Sequence, residues 1–139
     1  MRFLLFAASF FLASYCQSQF SSRLSESEWV DSVFNSLSKD QKIAQLMIIR
    51  AHSDKGDEYA EKVAAIIRQY NVGGLCFFQG GPVRQANYTN YYQSIAQTPL
   101  MVTIDGEWGV GMRLDSVIKF PYQLTLGALS DTMLVYQMG

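Results

Sequence analysis

The chain has 139 residues, of which the first 18 or so read as a leader, so what remains suits one modest domain with a single core. Eleven basic residues against twelve acidic ones give a net charge of −1, which excludes a basic field for nucleic acid, and 49% apolar with 17% charged residues excludes a disordered tail. The two cysteines are Cys16, within the leader, and Cys76, so neither a disulfide framework nor a cysteine zinc site fits.

The leader has three parts. Arg2 supplies a charge, Phe3 to Ala13 is apolar except for Ser9, and Ser14 to Ser18 is mostly small and polar, which is the pattern of a secretory signal. The apolar run is too short for a hydrocarbon core that needs about 20 residues, so no membrane span is expected. Export to the periplasm or the extracellular space follows. Cys16 lies where a lipid anchor would attach, but the bulky Tyr15 directly before it favours soluble export. The division is a signal peptide over 1–18 and a domain over 25–139.

Ser25 with Glu28 and Ser38 with Gln41 have capping-box spacing and mark two helix starts. Between them Trp29, Val30, Val33, Phe34 and Leu37 form an apolar stripe at helical spacing. After the second cap, Ile43 to Ile49 turns from helix into a buried strand near 46–50, with Arg50, His52 and Ser53 beyond its carboxyl end. Tyr59, Val63, Ile66, Ile67 and Tyr70 predict a helix over 57–70, stopped by Asn71 and Gly73. Val72 to Phe78 suits a strand covered on both faces, which Gly73 and Gly74 weaken. Pro82 opens a helix with Tyr88, Tyr91, Tyr92 and Ile95 on one side as packing residues, and Pro99 follows its end. Leu100 to Ile104 is a third continuous strand.

Strands alternating with helices over short connections imply parallel βαβ units and an α/β fold. Such units gather functional groups in the loops after the strands, here 50–54, 79–82 and 105–113. Asp105 and Glu107 are two apart at a strand end and point to one side if the extension continues, a pairing suited to sugar hydroxyls, cations or acid/base work. Trp108 offers a flat apolar face for a sugar ring, and Arg113 a partner for either acid. A solvated loop with Trp108 tucked into the core is the alternative. Gly109-Val110-Gly111 invites a nucleotide loop, but Leu114 stands where the third glycine belongs. Gly80-Gly81 lacks the Lys-Ser/Thr of a phosphate loop. His52, the single histidine, excludes a metal site with two histidines and reads as a polar loop residue or a pocket group. Asn87-Tyr88-Thr89 matches a glycosylation sequon but falls on a helix. Cys76 reads as a small core residue.

Three segments carry a family resemblance: Leu37-Ser38-Lys39-Asp40-Gln41-Lys42-Ile43-Ala44-Gln45-Leu46, Asn71-Val72-Gly73-Gly74-Leu75-Cys76-Phe77-Phe78, and Pro99 through Asp105-Gly106-Glu107-Trp108-Gly109 to Leu114. Together they resemble the N-terminal domain of family 3 glycoside hydrolases, in the branch of bacterial β-N-acetylhexosaminidases and β-glucosidases. The third segment is the most specific. The family more often reads Asp-Gln-Glu-Gly-Gly-Arg-Val there, from which Gly106, Trp108 and Val110 depart while Asp105, Glu107 and Gly109 keep it. Phe120-Pro121 and Gly127-Ala128 resemble the stretch that follows.

The resemblance implies a TIM-like (β/α)8 barrel, of which about three βα units are present, and a retaining hydrolase of β-linked sugars, with terminal β-N-acetylglucosaminides as the expected substrate. It gives Asp105 the hydroxyls of the cleaved sugar, and the loop chemistry adds Glu107, Trp108, Arg113 and His52 as candidate substrate contacts. No catalytic residue, metal or cofactor is assigned. The nucleophile and the histidine-aspartate acid/base pair are expected beyond Gly139, making this the front part of a longer enzyme, inactive alone, whose unpaired sheet edge predicts self-association. The competing readings are a non-catalytic carbohydrate-binding or interaction remnant, and a small doubly wound nucleotide-binding domain that the broken glycine pattern disfavours.

Overall fold

The computed structural model describes residues 24–139, so the predicted signal peptide lies outside the described residues. The chain divides into two units, 1–35 and 36–139.

In the first unit, helix α1 (Glu26–Ser36) starts at the expected cap. The Ser25 backbone N–H donates to the Glu28 carboxylate at 2.9 Å and the Ser25 hydroxyl donates to the same oxygen at 2.6 Å. These bonds hold the Glu28 carboxyl below the usual carboxylate range.

The second unit opens on helix α2 (Lys39–Ala44), whose capping box is complete: Ser38 N–H donates to Gln41 Oε1 at 3.0 Å, and Gln41 N–H to Ser38 Oγ at 3.2 Å. Strand β1 (Ile48–Ala51), helix α3 (Gly56–Tyr70), strand β2 (Gly74–Phe77), helix α4 (Pro82–Ile95) and strand β3 (Met101–Ile104) follow. The strands form one parallel sheet in the order β1-β2-β3, with Ile49 opposite Leu75 and Leu75 opposite Val102. A 3-10 turn (Val110–Met112) and helices α5 (Gln123–Gly127) and α6 (Thr132–Met138) complete the order. The sequence marked neither α5 nor α6. Both are short and have no buried residue, so no buried apolar stripe announces them.

Side chains alternate across a strand, and here the two faces differ. Ala51, Leu75 and Phe77 are buried against Ala60, Val63, Ala64 and Ile67 of α3 and Tyr92 of α4, with Ile49, Val102 and Ile104 packed alongside. Full burial of side chains such as Leu75, Phe77 and Ile67 stabilises by about 1.5–3 kcal/mol each. The other face carries Ile48 and Met101, 52% and 62% exposed, and a partly exposed, free Cys76. The expectation of strands covered on both faces is therefore corrected, as is a core Cys76: α3 and α4 lie on one face, and on the other Ile48, Arg50 and Met101 stay exposed.

Two details of α3 also differ from expectation. Its buried stripe is Ala60, Val63, Ala64 and Ile67, while Ile66 and Tyr70 are exposed. Alanines let the helix approach the sheet closely, and an alanine carries little periodic signal. The helix stops at Asn71 in the left-handed conformation (φ 53°, ψ 55°), as read, and the buried Asn71 side chain exchanges hydrogen bonds with Thr98 at 3.0 and 3.1 Å. Gly73 is a packing requirement rather than a weak point, since a Cβ there would lie 1.9 Å from the Gln45 carbonyl oxygen.

Candidate functional site

The carboxyl ends of the three strands meet where the sequence placed the functional loops. The loop after β1 is tied to the loop after β2: Ser53 N–H donates to the Gln79 carbonyl at 3.0 Å, and Gly81 N–H to Ser53 Oγ at 3.2 Å. The loop after β3 is tied to the same place. Gly80 N–H donates to the Arg113 carbonyl at 3.1 Å and Asp115 N–H to the Gly80 carbonyl at 2.8 Å, forming a parallel bridge of Gly80 with Leu114. Arg84, from the first turn of α4, spans all three loops, donating to the Ser53 carbonyl at 3.0 Å and to the Asp115 carboxylate at 2.6 Å. That bond holds the Asp115 carboxyl below its ordinary value.

Within this frame Asp105 follows β3, and its N–H donates to the Phe77 carbonyl at 3.2 Å. Arg113 donates through Nε to the Asp105 carbonyl at 2.7 Å and through Nη2 to the Asp105 carboxylate. Arg113 thus selects Asp105 of the two acids offered by the sequence. The pair is mostly buried, at 14% and 34% side-chain exposure, so Asp105 is both oriented and charge-compensated while an edge stays open to solvent. Glu107 is exposed. The strand ends at Ile104 and the chain turns at 107–108, so the extension on which a same-side Asp105 and Glu107 depended does not continue. Trp108 is half-buried and meets Tyr122 edge-to-face, with centroids 4.9 Å apart. Gln123 Nε2 donates to the Glu107 carbonyl, fixing that turn against α5.

His52 lies in the loop after β1 and is 4% exposed. Its ring stacks on Phe78, with centroids 5.8 Å apart, and meets Tyr59 edge-on at 5.6 Å. Nδ1 lies 3.3 Å from the Asp54 carboxylate, but the geometry is not that of a hydrogen bond, and both ring nitrogens are buried without a hydrogen-bond partner among the described residues. Burial first, then the Lys55 and Arg50 charges, lower its pKa against the opposing pull of Asp54. His52 therefore sits beneath the rim surface as a neutral ring that backs Phe78.

Phe78 joins two of the arginines of the rim, Arg50 and Arg113. The Arg50 guanidinium carbon lies 4.1 Å from its centroid and that of Arg113 4.5 Å. Arg50 is inside β1 rather than beyond it, because the strand runs one residue further than read. The sequence reading also left out Arg84, Asp54 and Asp115 as rim groups. Arg50 lies on the face opposite the buried Ala51, which strand alternation exposes once the strand end is known. Arg84 lies on a helix and shows its role only through contacts distant in sequence.

Among the described residues no group of three or more His, Cys, Asp or Glu side chains is placed to hold a metal ion, and no helix is long and apolar enough to cross a membrane. Gly109-Val110-Gly111 leads into a three-residue 3-10 turn instead of the helix a nucleotide loop requires. An apolar groove of about 500 Å3 lined by Ile43, Met47, Ile48, Ile66 and Tyr70 belongs to the amino end of β1, away from the rim.

A family model, the glycosyl hydrolase family 3 N-terminal domain, matches residues 38–139. The chain belongs to glycosyl hydrolase family 3. The match begins at Ser38, the cap of α2, and takes in all three strands and the whole rim. Comparison with curated proteins finds no match. Within the matched segment, an aspartate at the carboxyl end of a parallel sheet is oriented by Arg113, which donates to one of its carboxylate oxygens.

Proposed function

We propose that this chain forms the sugar-binding front of a retaining β-glycosidase barrel acting on terminal β-N-acetylglucosaminides. Asp105 accepts hydrogen bonds from hydroxyls of the sugar to be cleaved. Arg113 orients that carboxylate, Trp108 and Glu107 border the sugar, and His52 contributes from below by holding Phe78. The observation that carries the reading is the Arg113–Asp105 pair at the shared carboxyl rim of three parallel strands, within the segment that matches the family. Retaining hydrolysis needs two carboxyl-type groups about 5–5.5 Å apart, or a substitute for one of them. Of the rim carboxylates, Asp105 and Asp115 are taken up by arginines, Asp54 faces His52, and the exposed Glu107 is left without a second uncommitted carboxylate as its counterpart. Nucleophile and acid/base are therefore assigned to further strands of a (β/α)8 barrel, and these residues alone bind without turnover.

The binding claim is tested by titrating the 15N-labelled chain with methyl β-N-acetylglucosaminide. Shifts at 105–113 that vanish in Asp105→Asn are expected; shifts unchanged by that substitution would refute Asp105 as the hydroxyl acceptor. Export is part of the proposal, on the strength of the leader pattern. Mass spectrometry of exported protein should find a new N-terminus between about Cys16 and Phe20. An intact Met1 on folded cytosolic protein would contradict it.

A further inference from the structure

The open face of the sheet carries a charge that the proposed hydroxyl recognition leaves unused. Arg50 is paired in register with Cys76, and Cys76 with Thr103, so these three form one row across the exposed face. Phe78 and Asp105 follow directly after β2 and β3 at the carboxyl rim. The Arg50 guanidinium lies 4.1 Å from the Phe78 centroid, and Arg113 lies 4.5 Å from the same centroid. Two cations thus share one aromatic ring. Asp105 compensates Arg113, accepting from its Nη2, while Arg50 is exposed and has no ion pair among the described residues. Of the neighbouring charges, the Lys55 ammonium lies over the Tyr59 ring at 4.9 Å, and the Asp54 carboxylate, 3.3 Å from His52 Nδ1, makes no ion pair with Arg50. Tyr59 donates its hydroxyl proton to the Arg50 carbonyl at 3.2 Å, which anchors the backbone and leaves the guanidinium untouched.

A guanidinium held against an aromatic face keeps its in-plane N–H groups turned outward, in a fork that matches the two oxygens of a carboxylate. A second anion is what the arrangement lacks. We infer that Arg50 is a specificity residue of the sugar site, selecting glycosides that carry a carboxylate on or beside the ring bound by Asp105. The inference rests on the sugar-site reading and adds to it a charge preference: of two otherwise alike ligands, the one bearing a carboxylate on or beside the bound ring is held more tightly. Asp105, already neutralised by Arg113, does not repel such a ligand as a free carboxylate would.

The test compares two ligands that differ in one group. The 15N-labelled 139-residue chain is titrated with methyl β-D-glucuronide and with methyl β-D-glucoside, which has CH2OH in place of the carboxylate. Both are expected to shift amides of 105–113, with the glucuronide binding roughly three- to tenfold more tightly, as a charge-assisted contact at a half-open site provides. The preference should shrink as salt is raised. Arg50→Gln should bring the two affinities together and Arg50→Lys should retain part of the difference, with dispersed amide spectra establishing that both variants fold. Equal affinities in the unsubstituted chain, or a preference that Arg50→Gln leaves intact, would overturn the inference while the sugar site stands. No binding of either sugar would overturn the sugar-site reading and this inference with it. A sodium sulfate titration reproducing the glucuronide shifts at 105–113 would also overturn it, by showing a bare anion site with no part for the sugar.

Discussion

His52 is the only histidine in the chain, so its ring carries the whole histidine titration. Its folded pKa lies below the ordinary 6.5, chiefly through burial between Phe78 and Tyr59. The unfolded chain therefore binds the proton more readily. The contribution of His52 is fully present above about pH 6.5 and is lost as pH falls through that value toward the folded pKa. Thermal melts between pH 7.5 and 5.5 should show Tm falling with acidification, and His52→Phe should flatten that slope; an unchanged slope would mean that other groups carry it. Tyr92 gives a second test, because it is fully buried while its hydroxyl has no hydrogen-bond partner among the described residues, and burial pushes the phenol upward. Tyr92→Phe deletes an unsatisfied group at nearly constant volume, so urea denaturation should find it between neutral and about 1 kcal/mol more stable. A loss above about 1 kcal/mol would indicate a partner for that hydroxyl. At this scale the pairing of Arg113 with Asp105 was one of two that the sequence offered, because both acids lie in the same short segment as the arginine. His52 was harder to read, since only tertiary packing distinguishes a polar loop residue from a ring stacked under the rim.

Among the elements, the capping boxes, the left-handed stop at Asn71, Pro82 at the start of α4 and the three strands were all readable, because each rests on chemistry local to a few residues. The faces of the strands were not. Continuous apolar runs read as buried on both sides, yet Ile48 and Met101 face outward while Ile49 and Val102 pack inward, and a run with no polar residue carries no record of which face is covered. Gly80 shows how one small residue holds three loops together. A Cβ there would lie 1.7 Å from Ser53 Oγ, between strands of backbone joined by the Gly80–Leu114 bridge. Gly80→Ala should therefore cost about 1–3 kcal/mol in denaturant unfolding, the usual range for overpacking. Ser53→Gly added to it should recover part of the loss in spite of the hydrogen bond it removes. A cost below about 0.5 kcal/mol for Gly80→Ala would show that the loops move apart freely.

For the molecule as a whole, the three-stranded sheet leaves the outer edges of β1 and β3 unpaired among the described residues, and one face open. Unpaired edges with exposed apolar side chains such as Met101 recruit further strands, so analytical ultracentrifugation should show association that grows with concentration. A monodisperse monomer across the accessible range would contradict that expectation. The α/β class and the parallel order were legible from alternation alone, whereas under the proposed barrel the reacting groups belong to strands other than these three and leave no mark on them. Turnover of an aryl β-N-acetylglucosaminide tests the central claim most directly, measured for the 139-residue chain and for a version continued with the remaining barrel strands of a family member. The short chain should show no turnover and the longer one should turn over, with Asp105→Ala lowering its kcat/KM by about a hundredfold or more, because hydroxyl contacts that strengthen in the transition state supply several kcal/mol. Turnover by the short chain that is abolished by Glu107→Gln and indifferent to Asp105→Ala would contradict the central claim.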